Sequence, residues 1–150
     1  MISRISRKAA LAASGVTLAL AGTLASANPA FAATNWTATG TQADVVGAYA
    51  HGSFDYGAPG GTSVATVTIR DSVSDGASAR VYFRWRFIDG STSGSAVFGA
   101  SGYLNETTRT FSQPRNNLDT YQPFEVRECR VDNGLEVECG WDYDVPHPYN

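Results

Sequence analysis

Between Ala79 and Asp89 the chain alternates without interruption: Ala79, Val81, Phe83, Trp85 and Phe87 share one parity, and Arg80, Tyr82, Arg84 and Arg86 share the other. Successive side chains of a β-strand point to opposite faces, so this period of two predicts a strand with an aromatic core face and a cationic outer face. Ser63–Asp71 repeats the pattern, with Ala65, Val67 and Ile69 facing in and Thr66, Thr68 and Arg70 facing out. The two segments are expected to lie side by side as neighbouring strands.

The rest of the chain suits the same class once its first 32 residues are set aside. Met1–Lys8 carries Arg4, Arg7 and Lys8, Ala9–Leu24 is an uncharged Ala/Leu-rich run, and Ala30-Phe31-Ala32 is a small-x-small exit. A cationic head, an apolar stretch too short and interrupted to span a bilayer, and such an exit describe a secretory signal peptide, with cleavage expected before Ala33. No second apolar run follows, so no membrane anchor is expected after cleavage. Residues 33–150 then hold eight arginines, no lysine and fourteen acids, a net charge of −6. They contain 13 Val plus Ile and 12 Thr but three Leu, which is strand material. Charge argues against nucleic-acid binding, composition against a helical bundle, and size against a multidomain enzyme.

Strand-like runs recur at Trp36–Thr39, Asp44–His51, Ser63–Asp71, Ala79–Asp89, Ser95–Leu104, Thr107–Ser112, Gln122–Val131 and Leu135–Tyr143, separated by Gly, Ser, Asn, Asp and Pro clusters. This rhythm predicts an all-β fold: a single antiparallel β-sandwich over 33–150, immunoglobulin-like, with seven or eight short strands and no helix after the signal.

Cys129 and Cys139 are the only cysteines, and in an exported chain they are expected to form a disulfide. A turn centred on Gly134, with a positive φ there, pairs Cys129 with Cys139, Val131 with Val137 and Arg130 with Glu138. A two-residue Asn133-Gly134 turn would set Val131 against Glu136 and Cys129 against Glu138, mixing apolar and charged groups on one face. Phe124 and Val126 have the opposite parity to Cys129 and Val131, which predicts a bulge near Arg127-Glu128.

Few residues offer chemistry. His147 lies in Pro146-His147-Pro148, where nothing fixes its orientation, and His51 has Ser53 and Asp55 beside it but no third group aligned behind it. Asp71 to Gly76 begins like a calcium loop but has Val73 at the third position and Tyr82 at the twelfth, so a turn is expected, a looser oxygen site being the alternative. Glu136 and Glu138 are placed as a surface ion-pairing set, with a glycosidase carboxyl pair as the lesser reading. No catalytic residue, metal or cofactor is assigned.

Two surface features suggest binding. The stripe Arg80, Tyr82, Arg84 and Arg86 could grip carboxylates or phosphates bidentately, unless Glu125, Glu128, Glu136 or Glu138 neutralises it from neighbouring strands, the preferred expectation. Trp36 and Trp141, with Tyr121, Tyr143 and Tyr149, could form stacking platforms for sugar rings.

The leader ending in Ala30-Phe31-Ala32 and the segment Arg80-Val-Tyr-Phe-Arg-Trp-Arg-Phe87 resemble, in style, the functionally uncharacterised small secreted proteins of actinomycetes. That resemblance implies export and assigns no functional residue. Trp85-Arg86-Phe87 departs at its third position from the Trp-Arg-Tyr of secreted α-amylase inhibitors. The sequence is therefore read as a secreted, non-catalytic interaction module for an extracellular polysaccharide, the cell wall or a secreted protein. An inhibitor of an extracellular hydrolase is the second reading, and a small hydrolase the third.

Overall fold

A computed structural model describes residues 32–140 and the backbone of 143–144. The signal segment before Ala32 and the side chains of Trp141, Tyr143, His147 and Tyr149 lie outside the described residues. Nine strands follow in order: β1 (Thr34–Thr37), β2 (Ala48–Asp55), β3 (Thr62–Asp71), β4 (Ser78–Trp85), β5 (Ala96–Ser101), β6 (Glu106–Pro114), β7 (Phe124–Asp132), β8 (Leu135–Cys139) and β9 (Tyr143–Asp144). The helical exception among the described residues is one 3-10 turn, Arg115–Asn117, inside the loop expected after β6.

Two antiparallel sheets form a sandwich. One has the order β1-β2-β3-β6, the other β5-β4-β7-β8, with β9 also on β7. The first sheet is a meander closed by β6, whereas an immunoglobulin domain sets its second strand beside its fifth. The expected adjacency of Ser63–Asp71 and Ala79–Asp89 is corrected by this order. β3 pairs with β2 and β6, and β4 pairs with β5 and β7. Their apolar faces are so alike because they meet across the core, where each contributes half of one interior.

That interior is aromatic. Phe124 of β7 sits at its centre, 5.5 Å from Trp36, 5.2 Å from Phe54, 5.4 Å from Phe83 and 6.0 Å from Trp85 between ring centroids. Burying each such ring contributes about 1.5–3 kcal/mol, so five rings centred on Phe124 compensate for the scarcity of leucine. Trp36, expected as an exposed platform, belongs to this core. Its strand partner is Gly52, where a Cβ would come within 3.2 Å of the indole and 1.8 Å of the Thr66 carbonyl oxygen. A strand was not expected to continue through Gly52. It does, because the missing side chain is what lets the indole fold inward and β3 approach.

The hairpin joining β7 and β8 reconciles the two registers that the sequence set against each other. Asn133 and Gly134 both have positive φ, 48° and 83°, which makes a two-residue turn with Asp132 opposite Leu135 and Val131 opposite Glu136. A register shift between Arg130 and Val131 then brings Arg130 opposite Glu138 and Cys129 opposite Cys139. The disulfide is formed, with a Cα–Cα distance of 4.1 Å. The expected Val131–Val137 pair is therefore absent: Val137 is the extra residue of the bulge and is exposed.

Candidate ligand-binding face

The bulge expected at Arg127-Glu128 does not form, because β7 pairs with β4 in continuous register from Phe124 opposite Trp85 to Val131 opposite Ser78. With the alternation intact, Phe124, Val126 and Glu128 point into the core, and Glu125, Arg127, Cys129 and Val131 point out. Glu128 is fully buried. Its Oε2 accepts the backbone N–H of Val45 at 3.0 Å and its Oε1 accepts that of Ala50, so one carboxyl ties the approach to β2 onto the opposite sheet. Burial pushes its pKa up to about 8, against the two N–H donors, with Asp44 adding to the rise. Glu128 is thus removed from the set expected to neutralise the arginine stripe.

The outward residues of β7 and β4 build a lattice of charge. Arg80 Nη1 donates to Glu136 Oε1 at 2.9 Å, and the Tyr82 hydroxyl donates to the same oxygen. The hydrogen bond from Tyr82 and the contacts with Arg80 hold the Glu136 carboxyl below its usual range. The same carboxylate raises the pKa of the Tyr82 hydroxyl. Glu125, nearly buried, accepts from Arg84 Nε on one oxygen and from Arg86 Nη1 at 2.6 Å on the other. The arginine stripe is therefore internally paired, as preferred from the sequence, although each of these three side chains keeps about a third of its surface in solvent, 34, 34 and 28%. The guanidiniums are oriented by their carboxylates without being hidden by them.

A fourth cation, Arg127, shares this face and was not singled out from the sequence. Its guanidinium lies over the Tyr82 ring, 5.6 Å from the centroid, and both side chains line a cleft of about 50 Å³ together with Arg84, Ser95 and Glu125. The signal for it was available: β7 alternation counted from Phe124 puts Glu128 inside and Arg127 outside.

The remaining candidates resolve into structural roles. Asp71 is buried, and its Oδ2 accepts the N–H of Gly102 at 2.9 Å, while its main chain bonds Leu104 and Asn105. Asp75 accepts from Ala77 through Oδ1 and from Arg130 Nη2 at 2.7 Å through Oδ2, so both carboxylates of the calcium-like stretch serve protein donors. His51 stacks on Tyr49 at 4.6 Å, and its buried Nδ1 has no hydrogen-bond partner among the described residues. Asp55 accepts from the N–H of Gly57, which fixes a turn and does not orient His51. Cys129, Glu136 and Cys139 cluster closely enough to hold a metal, but both sulfurs are spent in the disulfide. Of the aromatics proposed as platforms, Tyr121 is exposed, and it stands apart in the loop before β7.

The chain matches no protein family, no characterised protein and no solved structure. No helix among the described residues is long and apolar enough to cross a membrane.

Proposed function

We propose that this is a secreted, non-catalytic binding module whose ligand face is the outer surface of the β5-β4-β7-β8 sheet, and whose ligand is anionic. The observation that carries the reading is the charge balance of that face. Among the described side chains Arg80, Arg84, Arg86 and Arg127 stand there with Glu125 and Glu136, four guanidiniums to two carboxylates, in a chain that is otherwise acidic. Arginines already held by carboxylates lose little further side-chain entropy on binding, and their planar forks suit carboxylates of a ligand. Export rests on the leader and on a disulfide of the kind that persists in oxidising compartments.

Affinity electrophoresis through gels containing acidic or neutral polysaccharides, at low and high salt, tests this reading. Retardation by acidic polymers that salt relieves is the expected result, and free migration through every acidic gel removes the proposal.

An inhibitor of an extracellular hydrolase is the second reading, favoured by a different feature. Tyr103 and Leu104 are exposed at the β5–β6 turn, Leu104 holds φ 64°, and the buried Asp71 clamps the turn from below. A strained, rigid apolar tip is suited to filling an enzyme cleft. Titration of amylases and proteases at near-stoichiometric ratio, with Leu104→Gly beside the wild type, tests it. A Leu104-dependent loss of enzyme activity is expected, and activity that the protein never lowers excludes it.

A further inference from the structure

We propose that the cleft lined by Tyr82, Ser95 and Arg127 is a carboxylate subsite for the uronic acid units of an acidic polysaccharide, with Arg127 as the counter-ion. This deepens the function proposed above and rests on it.

The cleft differs from the rest of the face in its charge accounting. Arg80 is paired with Glu136, and Arg84 and Arg86 share Glu125. Arg127 has no carboxylate within ion-pair distance among the described residues, and its Nε is buried without a hydrogen-bond partner. Its charge helps to lower the Glu136 carboxyl and its guanidinium lies over the Tyr82 ring, so a bound carboxylate supplies the close ion pair that this cation lacks among the described residues. Glu125 also lines the cleft, but Arg84 and Arg86 both donate to it, and the lining sets two guanidiniums, Arg84 and Arg127, against this one carboxylate.

Shape and position narrow the ligand. About 50 Å³ accommodates a few water molecules, and therefore one carboxylate. Val97 stands beside it: it lies directly opposite Tyr82 across the β4–β5 ladder and is exposed. An apolar side chain and a phenol ring beside a carboxylate pocket match the C–H face and acid group of a uronate. An extended peptide recognises a sheet by adding to a free edge, yet β4 is paired on both sides, with β5 and with β7. Strand addition is therefore closed to a peptide here, and the exposed Val97 beside the cleft suits the C–H face of a uronate ring.

Titration calorimetry of the purified protein with polygalacturonate, its methyl ester and polyglutamate tests the subsite, using Arg127→Gln and, on the opposite sheet, Arg70→Gln. Binding of polygalacturonate should weaken at least tenfold in Arg127→Gln, remain unchanged in Arg70→Gln, and vanish on methyl esterification. Equal affinity of Arg127→Gln and wild type overturns the subsite while leaving the cationic face as the binding surface. Arg127-dependent binding of polyglutamate as tight as that of polygalacturonate overturns the saccharide assignment. Failure of every acidic polymer to bind removes both proposals. Should Arg127→Gln fold poorly, the Arg127 Nε–H resonance of the wild type supplies the answer: it should shift on addition of galacturonate oligomers, and an unmoved signal overturns the subsite.

Discussion

Glu128 is the residue whose environment departs furthest from what its type suggests. Its carboxyl is buried between the sheets and bonded to the N–H groups of Val45 and Ala50, with its pKa raised to about 8. A carboxyl that binds its proton more tightly in the folded chain than in the unfolded one contributes most to stability below about pH 4.5. That contribution is lost as pH rises towards 8. The melting temperature of wild type minus that of Glu128→Gln should therefore fall steadily between about pH 5 and 8 and level off above, and a difference that rises over that interval contradicts the assignment. Glu125 has a different task, holding Arg84 and Arg86 in their outward positions. Because both arginines are partly solvated, Glu125→Ala should cost about 2 kcal/mol, less than breaking a fully buried pair, as read from the urea midpoint. Gly52 is an equally specific choice. Gly52→Ala places a methyl against the Thr66 carbonyl and the Trp36 indole, and should cost about 3 kcal/mol by the same measurement.

Among the elements, the β7–β8 hairpin is the most instructive. Asn133-Gly134 demands a two-residue turn by its conformational freedom, and the cysteines demand a register one residue out of step with it; the bulge satisfies both. The chain stated both requirements openly, but a bulge is a tertiary compromise that neither states alone. Cys129→Ser with Cys139→Ser should lower stability by about 2–3 kcal/mol, measured by urea unfolding, since the cross-link restricts the unfolded chain. Strand positions were legible wherever one face is buried and the other wet, as in β4, whose burial alternates residue by residue. In β7 the pairing is equally continuous, but the core face carries a glutamate and the outer face buries Cys129 and Val131, so hydrophobicity misreports its parity and a bulge seems necessary where none exists. Of the candidate face, Arg80, Tyr82, Arg84 and Arg86 could be read directly from the alternation of residues 79–89. Arg127 follows from the β7 alternation counted from Phe124, but only once a buried Glu128 is accepted.

For the molecule as a whole, one continuous core joins both sheets, from Trp36 and Ile69 on one side to Phe83 and Phe124 on the other. Unfolding should be a single transition, with far-ultraviolet dichroism and tryptophan fluorescence coinciding along a urea titration; separate midpoints would mean that the sheets lose structure independently. The sequence by itself determined the class of fold, the strands with one wet face and the cysteine pairing, because these follow from local alternation and from having two cysteines. Which strands lie beside which was a matter for the tertiary structure. β3 and β4 carry interchangeable apolar faces, and only the closing of the sandwich sets them opposite each other and not side by side. The same closure put Trp36 inside, buried Glu128 against two backbone donors, and left Arg127 on the outer face with no ion pair among the described residues, since each outcome depends on which backbone arrives across the core and not on the residue's neighbours in the chain.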